Sequence, residues 1–297
     1  MIERVLVTGS FGFTGRYMVD LLKFEGCEVL GVGSQVGNKA ATAYRQVDLL
    51  DYPGLSRVVR DFKPDYVVHL AAVSFVAHGD ASAIYQANVI GTRNLLEALV
   101  TNDVAIKKMI VASSANVYGN AVAGRLDETS DLNPANDYGV SKVAVEYLSR
   151  TYFEKLPIVI TRPFNYTGIG QHEKFLIPKI VSHFCERKSV IELGNIDVWR
   201  DFNDVRALVA AYYGLLRKSK PGQTYNIASG NTWSLREVIS ICEEVTQHSI
   251  EIRVNPAFVR ENEVKSLCGD INKLSALLPD WKPVLLTETL SWMLENG

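Results

Sequence analysis

Strand-like and helical segments alternate through the first half of the chain, and this alternation most constrains the fold. Short runs rich in β-branched residues predict strands at 4–9, 27–33, 44–49 and 66–72, and strands that continue into loops at 107–119 and 157–168. Helical spacing of apolar residues predicts helices at 13–26, 82–101 and 138–156. Strands joined by helical crossovers form a parallel sheet, and right-handed crossovers place helices on both of its faces. The pattern therefore predicts an α/β fold with a doubly wound parallel sheet.

The regular alternation of strand-like and helical segments ends after about residue 165. A loop with glycine and polar residues at 165–174 is followed by shorter and less regular segments. We therefore expect two domains, with the parallel sheet in 1–165 and a smaller lobe in 166–297. Some elements of the smaller lobe are expected to return to the large sheet.

Composition and charge exclude several classes of protein. The net charge is -2 and no Lys/Arg run of the kind that coats a phosphate backbone occurs, so we expect no nucleic-acid partner. The sequence has neither an apolar run of about eighteen residues nor a signal core, which predicts a cytoplasmic protein without a membrane partner. The cysteines have neither disulfide nor metal-ligand spacing, so no metal site is expected.

The first predicted strand ends in a glycine-rich turn. Gly9, Gly12 and Gly15 form G-x-x-G-x-x-G between this strand and an amphipathic helix. Glycines let backbone N–H groups approach a pyrophosphate, and the helix N-terminus favours its negative charge. Such triplets also occur in turns without a ligand, but the strand and helix on either side favour a dinucleotide site.

The end of the second strand bears on which dinucleotide is bound. A carboxylate there would hold the ribose 2′-hydroxyl of NAD, but Ser34 and Gln35 occupy this place, and Lys39 and Arg45 follow. An uncharged end leaves room for a 2′-phosphate, which favours NADP(H) over NAD(H). Asp48 either accepts a hydrogen bond from the adenine amino group or begins the next helix.

Tyr138 and Lys142 form a Y-x-x-x-K pattern at the start of a predicted helix. Residues four apart share a helix face, so the cation is expected to lower the pKa of the phenol from about 10. Tyr138 can then exchange a proton with a substrate hydroxyl or ketone. The spacing alone is common on solvated helices. Ser114 strengthens the prediction because it follows a strand at the sheet edge where ligands bind, whereas Ser113 is expected to bond local backbone.

Together, several segments resemble extended short-chain dehydrogenase/reductases that act on nucleotide sugars. They are "TGSFGFTG", "HLAAVSFV", "NVIGTRNLLEA", "SSANVYG", "YGVSK" and "RPFNYTG". The later segments "RPFNYTGIGQHEKFLIPKI" and "NPAFVRENEVKSLCGD" look most like GDP-4-keto-6-deoxy-mannose reductases and GDP-mannose 4,6-dehydratases. The resemblance implies a Rossmann-type fold with a C-terminal substrate-binding lobe, an NAD(P)(H) cofactor and a GDP-linked sugar as substrate.

The resemblance also implies roles for individual residues. Ser114, Tyr138 and Lys142 match the catalytic set, with Lys142 also binding the nicotinamide ribose, and Asn88 would support the fourth strand. The implied cofactor contacts are Gly9, Phe11, Gly12, Gly15, Ser34, Asp48, Leu49, Leu70, Ala71, Ala72, Tyr138, Lys142 and Pro163. The implied substrate contacts are Ser74, Asn116, Asn165, Lys179, Arg200, Arg260 and Glu263. The late charges could instead form surface ion pairs.

Many relatives form homodimers through a four-helix interface, to which each subunit contributes two long helices. The helices predicted at 82–101 and 138–156 are the candidates in this chain. Side chains that could contribute are Tyr85, Leu95, Leu99, Tyr147 and Tyr152. The alternative is that these side chains pack inward on the sheet.

Two residues bear on the reaction. Dehydratases of this family carry a Glu, sometimes with an Asp, just after the catalytic Ser/Thr, whereas this chain has Ala115 and Asn116. The resemblance thus disfavours dehydration and implies an NAD(P)H-dependent reductase of a 4-keto-6-deoxy sugar, with hydride transfer to C4 and Tyr138 as the acid. A nucleotide-sugar 4-epimerase with tightly bound NAD would use the same residues. A non-catalytic dinucleotide-binding scaffold is a further alternative, but it would not need the tyrosine–lysine pair.

Overall fold

The computed structural model describes residues 2–36, 43–74, 80–119, 124–258 and 266–297. Its strands are β1 (Arg4–Thr8), β2 (Glu28–Gly33), β3 (Ala43–Gln46), β4 (Tyr66–His69), β5 (Lys108–Ala112), β6 (Gly124–Leu126), β7 (Ile158–Pro163), β8 (Asn165–Thr167), β9 (Val190–Leu193), β10 (Trp199–Arg200), β11 (Phe202–Asp204), β12 (Thr224–Ile227), β13 (Trp233–Ser234), β14 (Glu251–Val254) and β15 (Ser266–Gly269). Its α-helices are α1 (Phe13–Phe24), α2 (Tyr52–Phe62), α3 (Ala81–Tyr85), α4 (Gly91–Thr101), α5 (Asp137–Arg150), α6 (Leu176–Cys185), α7 (Val205–Lys218), α8 (Leu235–Thr246), α9 (Asn272–Leu277) and α10 (Leu286–Asn296).

Seven strands form the large sheet, in the order β12-β7-β5-β4-β1-β2-β3. The pairs from β7 through to β3 are all parallel. The strand order reverses between β1 and β4, and right-handed crossovers on either side of this point place helices on opposite faces. The predicted doubly wound α/β fold is confirmed. Its ligand-binding edge is expected at the carboxyl ends of β1 and β4.

The described chain divides into two compact units, each assembled from three stretches of sequence. The first unit comprises Met1–Gly119, Leu132–Pro163 and Val209–Tyr225. The second comprises Asn120–Asp131, Phe164–Leu208 and Asn226–Gly297. Each unit has its own apolar core.

The core of the first unit explains why its strands are almost continuously apolar. All six residues of β7 are buried, as expected for a strand covered on both faces. Leu95 and Leu99 on α4 are fully buried in this core, and Tyr152 is 7% exposed and belongs to the same cluster. These three side chains therefore pack inward on the sheet, which was the alternative to a role in a dimer interface.

Three helices differ from the sequence prediction. The segment predicted as one helix at 82–101 consists of α3, a π-helical turn (Gln86–Ile90) and α4. The helix predicted to reach residue 156 ends at Arg150, before a Thr-Tyr-Phe run with lower helix propensity. Helix α2 was expected only as one alternative, beginning at Asp48, whereas Asp51 accepts a hydrogen bond from the backbone N–H of Gly54 at 3.0 Å and caps the helix. Asp51, rather than Asp48, begins this helix.

The second unit contains smaller sheets and a buried carboxylate that organises its loops. Strands β13, β10, β15 and β6 form one sheet, and the pairs β11–β8 and β14–β9 form two more. The Asp201 carboxylate accepts hydrogen bonds from backbone N–H groups of Ser229 at 2.8 Å, Gly230 at 3.0 Å and Gly269 at 3.3 Å. Burial raises the pKa of Asp201, although these hydrogen bonds act to lower it. Among the described residues, no helix is both long enough and apolar enough to span a bilayer.

Candidate active site

The glycine-rich turn brings the N-terminus of α1 to the carboxyl end of β1. Gly9 has φ +69°, and a Cβ at this position would lie 2.9 Å from the backbone of Ala71. A Cβ on Gly15 would lie 2.1 Å from the carbonyl oxygen of Gly9. The first turn of α1 carries no acidic residue, so its N–H groups and dipole favour an anion. This turn fits the pyrophosphate of a dinucleotide.

A buried histidine fixes the segment that faces the glycine turn. The backbone N–H groups of Leu70 and Ala71 donate to Thr8 Oγ1 at 3.2 and 3.1 Å. Thr8 Oγ1 lies 2.7 Å from His69 Nδ1, and His69 Nε2 lies 2.8 Å from Thr92 Oγ1. Because Thr8 already accepts two hydrogen bonds, its own proton goes to Nδ1, and the ring carries its proton on Nε2. Burial, with a smaller effect from the charge of Lys142, lowers the pKa of His69 to about 3, so the ring stays neutral.

Asn88 extends this network toward the predicted catalytic helix. Its Oδ1 accepts from the backbone N–H of Val73 at 2.7 Å, and its Nδ2 donates to the carbonyl of Val73 at 3.0 Å. Nδ2 also donates to Ser141 Oγ at 3.0 Å, and this hydroxyl donates to the carbonyl oxygen of Tyr138 at 2.7 Å. The segment after β4 is thus joined to the first turn of α5.

Ser114 lies at the carboxyl end of β5, where its hydroxyl is held by one neighbour. Its Oγ accepts from the backbone N–H of Asn116 at 3.2 Å and from Asn116 Nδ2 at 3.0 Å. Both bonds use the oxygen as acceptor, which leaves the O–H of Ser114 to donate to a ligand. Ser113 differs from its prediction, because its Oγ donates to Glu146 Oε1 at 2.7 Å rather than to local backbone.

Tyr138 and Lys142 lie on α5, and the first turn of this helix packs closely against the loop that follows Ser114. Asn136 caps the helix, since its Oδ1 accepts from the backbone N–H of Gly139 at 2.8 Å. A Cβ on Gly139 would lie 2.7 Å from the carbonyl oxygen of Asn116, so only glycine allows this approach. The structure therefore brings the predicted serine, tyrosine and lysine to one edge of the sheet.

Lys142 is buried and has one backbone hydrogen-bond acceptor in this structure. Its Nζ donates to the carbonyl oxygen of Ala112 at 2.8 Å and lies 5.8 Å from the centre of the Tyr138 ring. The residue is 5% exposed. Burial lowers the pKa of Lys142 to about 8, and the negative charge of Glu146 acts in the opposite direction. The lysine can therefore gain or lose its proton near neutral pH.

Strand β3 carries, beside the end of β2, a tyrosine that the sequence analysis did not single out, Tyr44. Tyr44 Oη lies 2.7 Å from the carbonyl oxygens of both Gly33 and Gln35, so its one proton is shared between these two acceptors. The Tyr44 ring packs on the Phe11 ring of the glycine turn, with centroids 4.2 Å apart. The carbonyl oxygen of Ser34 accepts from Gln46 Nε2 at 3.2 Å. A tyrosine two residues before the end of a strand carries no motif, so only the structure reveals it.

The other predicted cofactor contacts occupy varied surroundings in the first unit. Asp48 Oδ1 accepts from the backbone N–H of Leu50 at 2.9 Å. Leu49 and Pro163 are buried, whereas Ala72 is exposed. Ser74, a predicted substrate contact, is also exposed.

The remaining predicted substrate contacts belong to the second unit. Asn165 lies in β8, opposite Phe202 of β11. Lys179 Nζ donates to the carbonyl oxygen of Glu192 at 2.7 Å, and Arg200 Nη1 donates to the carbonyl oxygen of Trp199 at 2.9 Å. The predicted contacts at 260 and 263, Arg260 and Glu263, lie outside the described residues, as does Lys39.

The comparison with protein families gives a match over almost the whole chain. The family model for GDP-mannose 4,6 dehydratase matches residues 6–293. The chain belongs to the GDP-mannose 4,6 dehydratase family. The resemblance to the extended short-chain dehydrogenase/reductases is thereby confirmed.

Individual members of the family are also similar to this chain. A GDP-6-deoxy-D-talose 4-dehydrogenase from Aggregatibacter actinomycetemcomitans is 35% identical over 93% of this chain and 91% of its own length. A GDP-6-deoxy-D-mannose reductase from Pseudomonas aeruginosa is 31% identical over 95% of this chain and 93% of its own length. The structure of RMD from Pseudomonas aeruginosa complexed with NADPH superposes with a TM-score of 0.85 at 29% identity, covering 99% of this chain and 97% of the other.

The family name does not decide the reaction of this member. The two positions after Ser114 hold an alanine and an asparagine, and neither side chain has a carboxylate. Ala115 is buried, and Asn116 donates hydrogen bonds to Ser114 Oγ from its backbone N–H and its side-chain amide. What this arrangement can do is hold a substrate oxygen against Ser114 and exchange a proton with it through Tyr138.

Proposed function

We propose that this protein is an NAD(P)H-dependent reductase of a nucleotide-linked 4-keto-6-deoxy sugar. The substrate is GDP-4-keto-6-deoxy-mannose and the product is a GDP-6-deoxyhexose. The observation that carries the proposal is the pairing of Ser114 with Asn116, because an amide replaces the carboxylate that removal of water would require. The names of the two GDP-deoxyhexose relatives, which describe oxidation or reduction rather than dehydration, support it.

Each residue has a distinct part in the proposed reaction. A bound NAD(P)H supplies the hydride that reduces C4. Tyr138 donates its phenolic proton to the C4 oxygen, and the O–H of Ser114 donates a hydrogen bond to the same oxygen. The ammonium of Lys142 stabilises the phenolate that remains and binds the nicotinamide ribose.

We propose NADP(H) as the preferred cofactor. Ser34 and Gln35 directly follow β2 and present no carboxylate that would repel a 2′-phosphate. The relative solved with NADPH supports this choice. Fluorescence titration should give a lower dissociation constant for NADPH than for NADH, and the reverse order would overturn the preference.

Binding of the nucleotide sugar is proposed for the second set of residues. A diphosphate dianion is bound by positively charged side chains that hydrogen-bond its oxygens, and the side chains predicted to do so are Lys179, Arg200 and Arg260. The carboxylate of Glu263 is proposed to accept hydrogen bonds from the two hydroxyls of the nucleotide ribose. Ser74, Asn116 and Asn165 are proposed to contact the sugar.

A homodimer is proposed from the apolar side chains that remain exposed on the two long helical segments. Ile90 is 39% exposed, Val140 on α5 is 40% exposed and Tyr147 on the same helix is 55% exposed. Burying such a surface against a second copy would remove it from water. Sedimentation should show a dimer that Tyr147→Glu dissociates, and a monomeric wild type would contradict this assembly.

The assay that tests the proposed function follows NADPH absorbance with purified protein. Stoichiometric NADPH loss with GDP-4-keto-6-deoxy-mannose, and none with UDP- or dTDP-linked 4-keto sugars, is the expected result. Absence of net NADPH loss with interconversion of unreduced GDP- or UDP-sugars would establish the epimerase alternative. Dinucleotide binding without turnover of any of these sugars would establish the scaffold alternative.

A further inference from the structure

A buried ion pair lies one helical turn beyond Lys142 on α5. The Glu146 side chain is 0% exposed, and Arg162 of β7 is 2% exposed. Arg162 Nε donates to Glu146 Oε1 at 2.9 Å and Arg162 Nη2 donates to Oε2 at 2.7 Å. This two-pronged geometry fixes the carboxylate in one orientation.

Two further contacts tie the ion pair to the loop that carries Ser114. Ser113 Oγ donates to Glu146 Oε1 at 2.7 Å, and Arg162 Nη1 donates to Tyr118 Oη at 2.9 Å. Ser113 directly precedes Ser114, and Tyr118 follows the short helical turn at Ala115–Val117. The cluster of Glu146, Arg162, Ser113 and Tyr118 thus joins β5, β7 and α5 beneath the predicted catalytic groups. We call it the buried quartet.

Stability alone does not explain a fully buried ion pair. Removing two charges from water costs several kcal/mol per ion, and well-packed apolar residues are often as stabilising. The position of Glu146 suggests another reason, because residues four apart lie on one helix face and Lys142 is therefore its neighbour.

The charged and titratable groups around Lys142 come from several elements. On α5, Tyr138 lies one turn before it, and Arg150 Nη2 lies 3.8 Å from Glu146 Oε2 with a side chain that is 41% exposed. His69 at the end of β4 is neutral, as its lowered pKa shows. The β7 side contributes the Arg162 cation, which is engaged by the Glu146 carboxylate. Of these groups, Glu146 is the one that favours the charged form of the lysine.

We propose that Glu146 is a positioning residue that keeps Lys142 protonated in its buried site. Arg162 and Ser113 hold the carboxylate in place, and Tyr118 holds Arg162. The inference rests on the proposed function only for the role of Lys142 in the reaction. The protonation of Lys142 can be measured without substrate or cofactor.

The test is an NMR titration of protein labelled with ¹³C at the ε-carbons of lysine. The Lys142 resonance, assigned by its disappearance in Lys142→Met, should titrate at about pH 8 in the wild type. In Glu146→Gln the carboxylate is gone and the Arg162 cation is uncompensated. The midpoint should therefore fall by about one pH unit or more. An unchanged midpoint in a folded Glu146→Gln protein would overturn the proposal.

A buried carboxylate elsewhere in the chain provides a matched control. Asp204 in the second unit is 0% exposed, and it binds Arg206 Nη2 at 2.6 Å and Thr289 Oγ1 at 2.8 Å. Asp204→Asn also removes a paired buried charge, so it should lower the melting temperature while leaving the Lys142 midpoint in place. An equal shift of the midpoint in Asp204→Asn would show a general effect of destabilisation and would also overturn the proposal.

A second variant covers the case in which Glu146→Gln does not fold. Glu146→Gln combined with Arg162→Gln leaves no orphaned charge in the core. Because Glu146 lies one helical turn from Lys142 and its charge raises the pKa of this lysine, the midpoint should still fall. An unchanged midpoint would contradict the inference. If the protein proves not to be a reductase, NADPH turnover is absent while this midpoint still moves, so the two failures are distinguishable.

Discussion

Two lysines are buried at opposite ends of β5, and their surroundings differ. Lys108 at the amino end is 8% exposed and its Nζ donates to the carbonyl oxygen of Ser219. Lys142 lies beside the carboxyl end, where its Nζ donates to the carbonyl oxygen of Ala112. Burial lowers the pKa of both lysines. Only beside Lys142 does the described part of the chain place a tyrosine ring and a glutamate on the same helix face.

Burial by itself therefore does not single out Lys142 as the proposed catalytic lysine. Both side chains end on a backbone carbonyl, so their hydrogen bonds do not distinguish them. The difference lies in the edge of the sheet and in the neighbours, because ligands bind at the carboxyl ends of strands in open α/β sheets. A substitution at each end should separate a catalytic role from a structural one.

The largest effect is expected for Tyr138→Phe. Loss of the phenolic proton should reduce kcat by about 10²–10⁴-fold, the usual contribution of a positioned acid. The dissociation constant for NADPH should stay within about twofold, because the ring and its packing remain. Steady-state kinetics and fluorescence titration measure these two quantities. Full activity of the variant would show that another group supplies the proton.

The paired substitutions Lys142→Met and Lys108→Met apply the comparison directly. Lys142→Met should reduce kcat by about 10²-fold and weaken NADPH binding, because the ammonium is proposed to touch both phenolate and ribose. Lys108→Met should lower the melting temperature and leave both kinetic values close to wild type. Equal kinetic losses in the two variants would remove the distinction between the two ends of β5.

The pH dependence of turnover should sharpen the same comparison. In the proposed reaction Lys142 must be protonated to stabilise the phenolate, and burial lowers the pKa of this lysine to about 8. Activity is therefore present below this pH and falls about tenfold per unit as the pH rises above it. A profile of kcat against pH measures this fall in activity, and Lys108→Met should not change the pH at which the fall begins. A flat profile up to pH 10 would contradict the assignment.

The smallest of these effects is expected in the second unit. Arg200→Ala should raise the dissociation constant of the GDP-sugar by about tenfold or more, the value of a charge-assisted hydrogen bond. NADPH binding should be unaffected. Calorimetric titration of both ligands separates the outcomes, and equal losses for the two would contradict a role in sugar-nucleotide binding.

The sequence predicted the features that depend on neighbouring residues. The strand and helix periodicity, the glycine turn and the Y-x-x-x-K spacing are local patterns, and the structure shows the predicted sheet with these motifs at its carboxyl edge. The start of α2 could also have been placed correctly, because Asp51 and Pro53 are ordinary signals of a helix start. The roles of the substrate contacts remain predictions.

The sequence could not predict contacts between residues far apart in the chain. Ser113 bonds Glu146 across 33 positions, and Thr8 bonds His69 across 61 positions. No periodicity or motif encodes such a pair, because the first depends on how α5 packs against the end of β5 and the second on the pairing of β1 with β4. The prediction that Ser113 would hydrogen-bond to local backbone was wrong for this reason.

The most direct test of the account is the fate of the hydride. NADPH labelled with deuterium at the transferred position should be incubated with the protein and GDP-4-keto-6-deoxy-mannose, and the product examined by NMR. One deuterium at C4 of the sugar is expected for each NADPH oxidised, and in Tyr138→Phe the same labelled product should form about 10²–10⁴-fold more slowly. A deoxysugar product without deuterium at C4, or label at another carbon, would contradict reduction at this site.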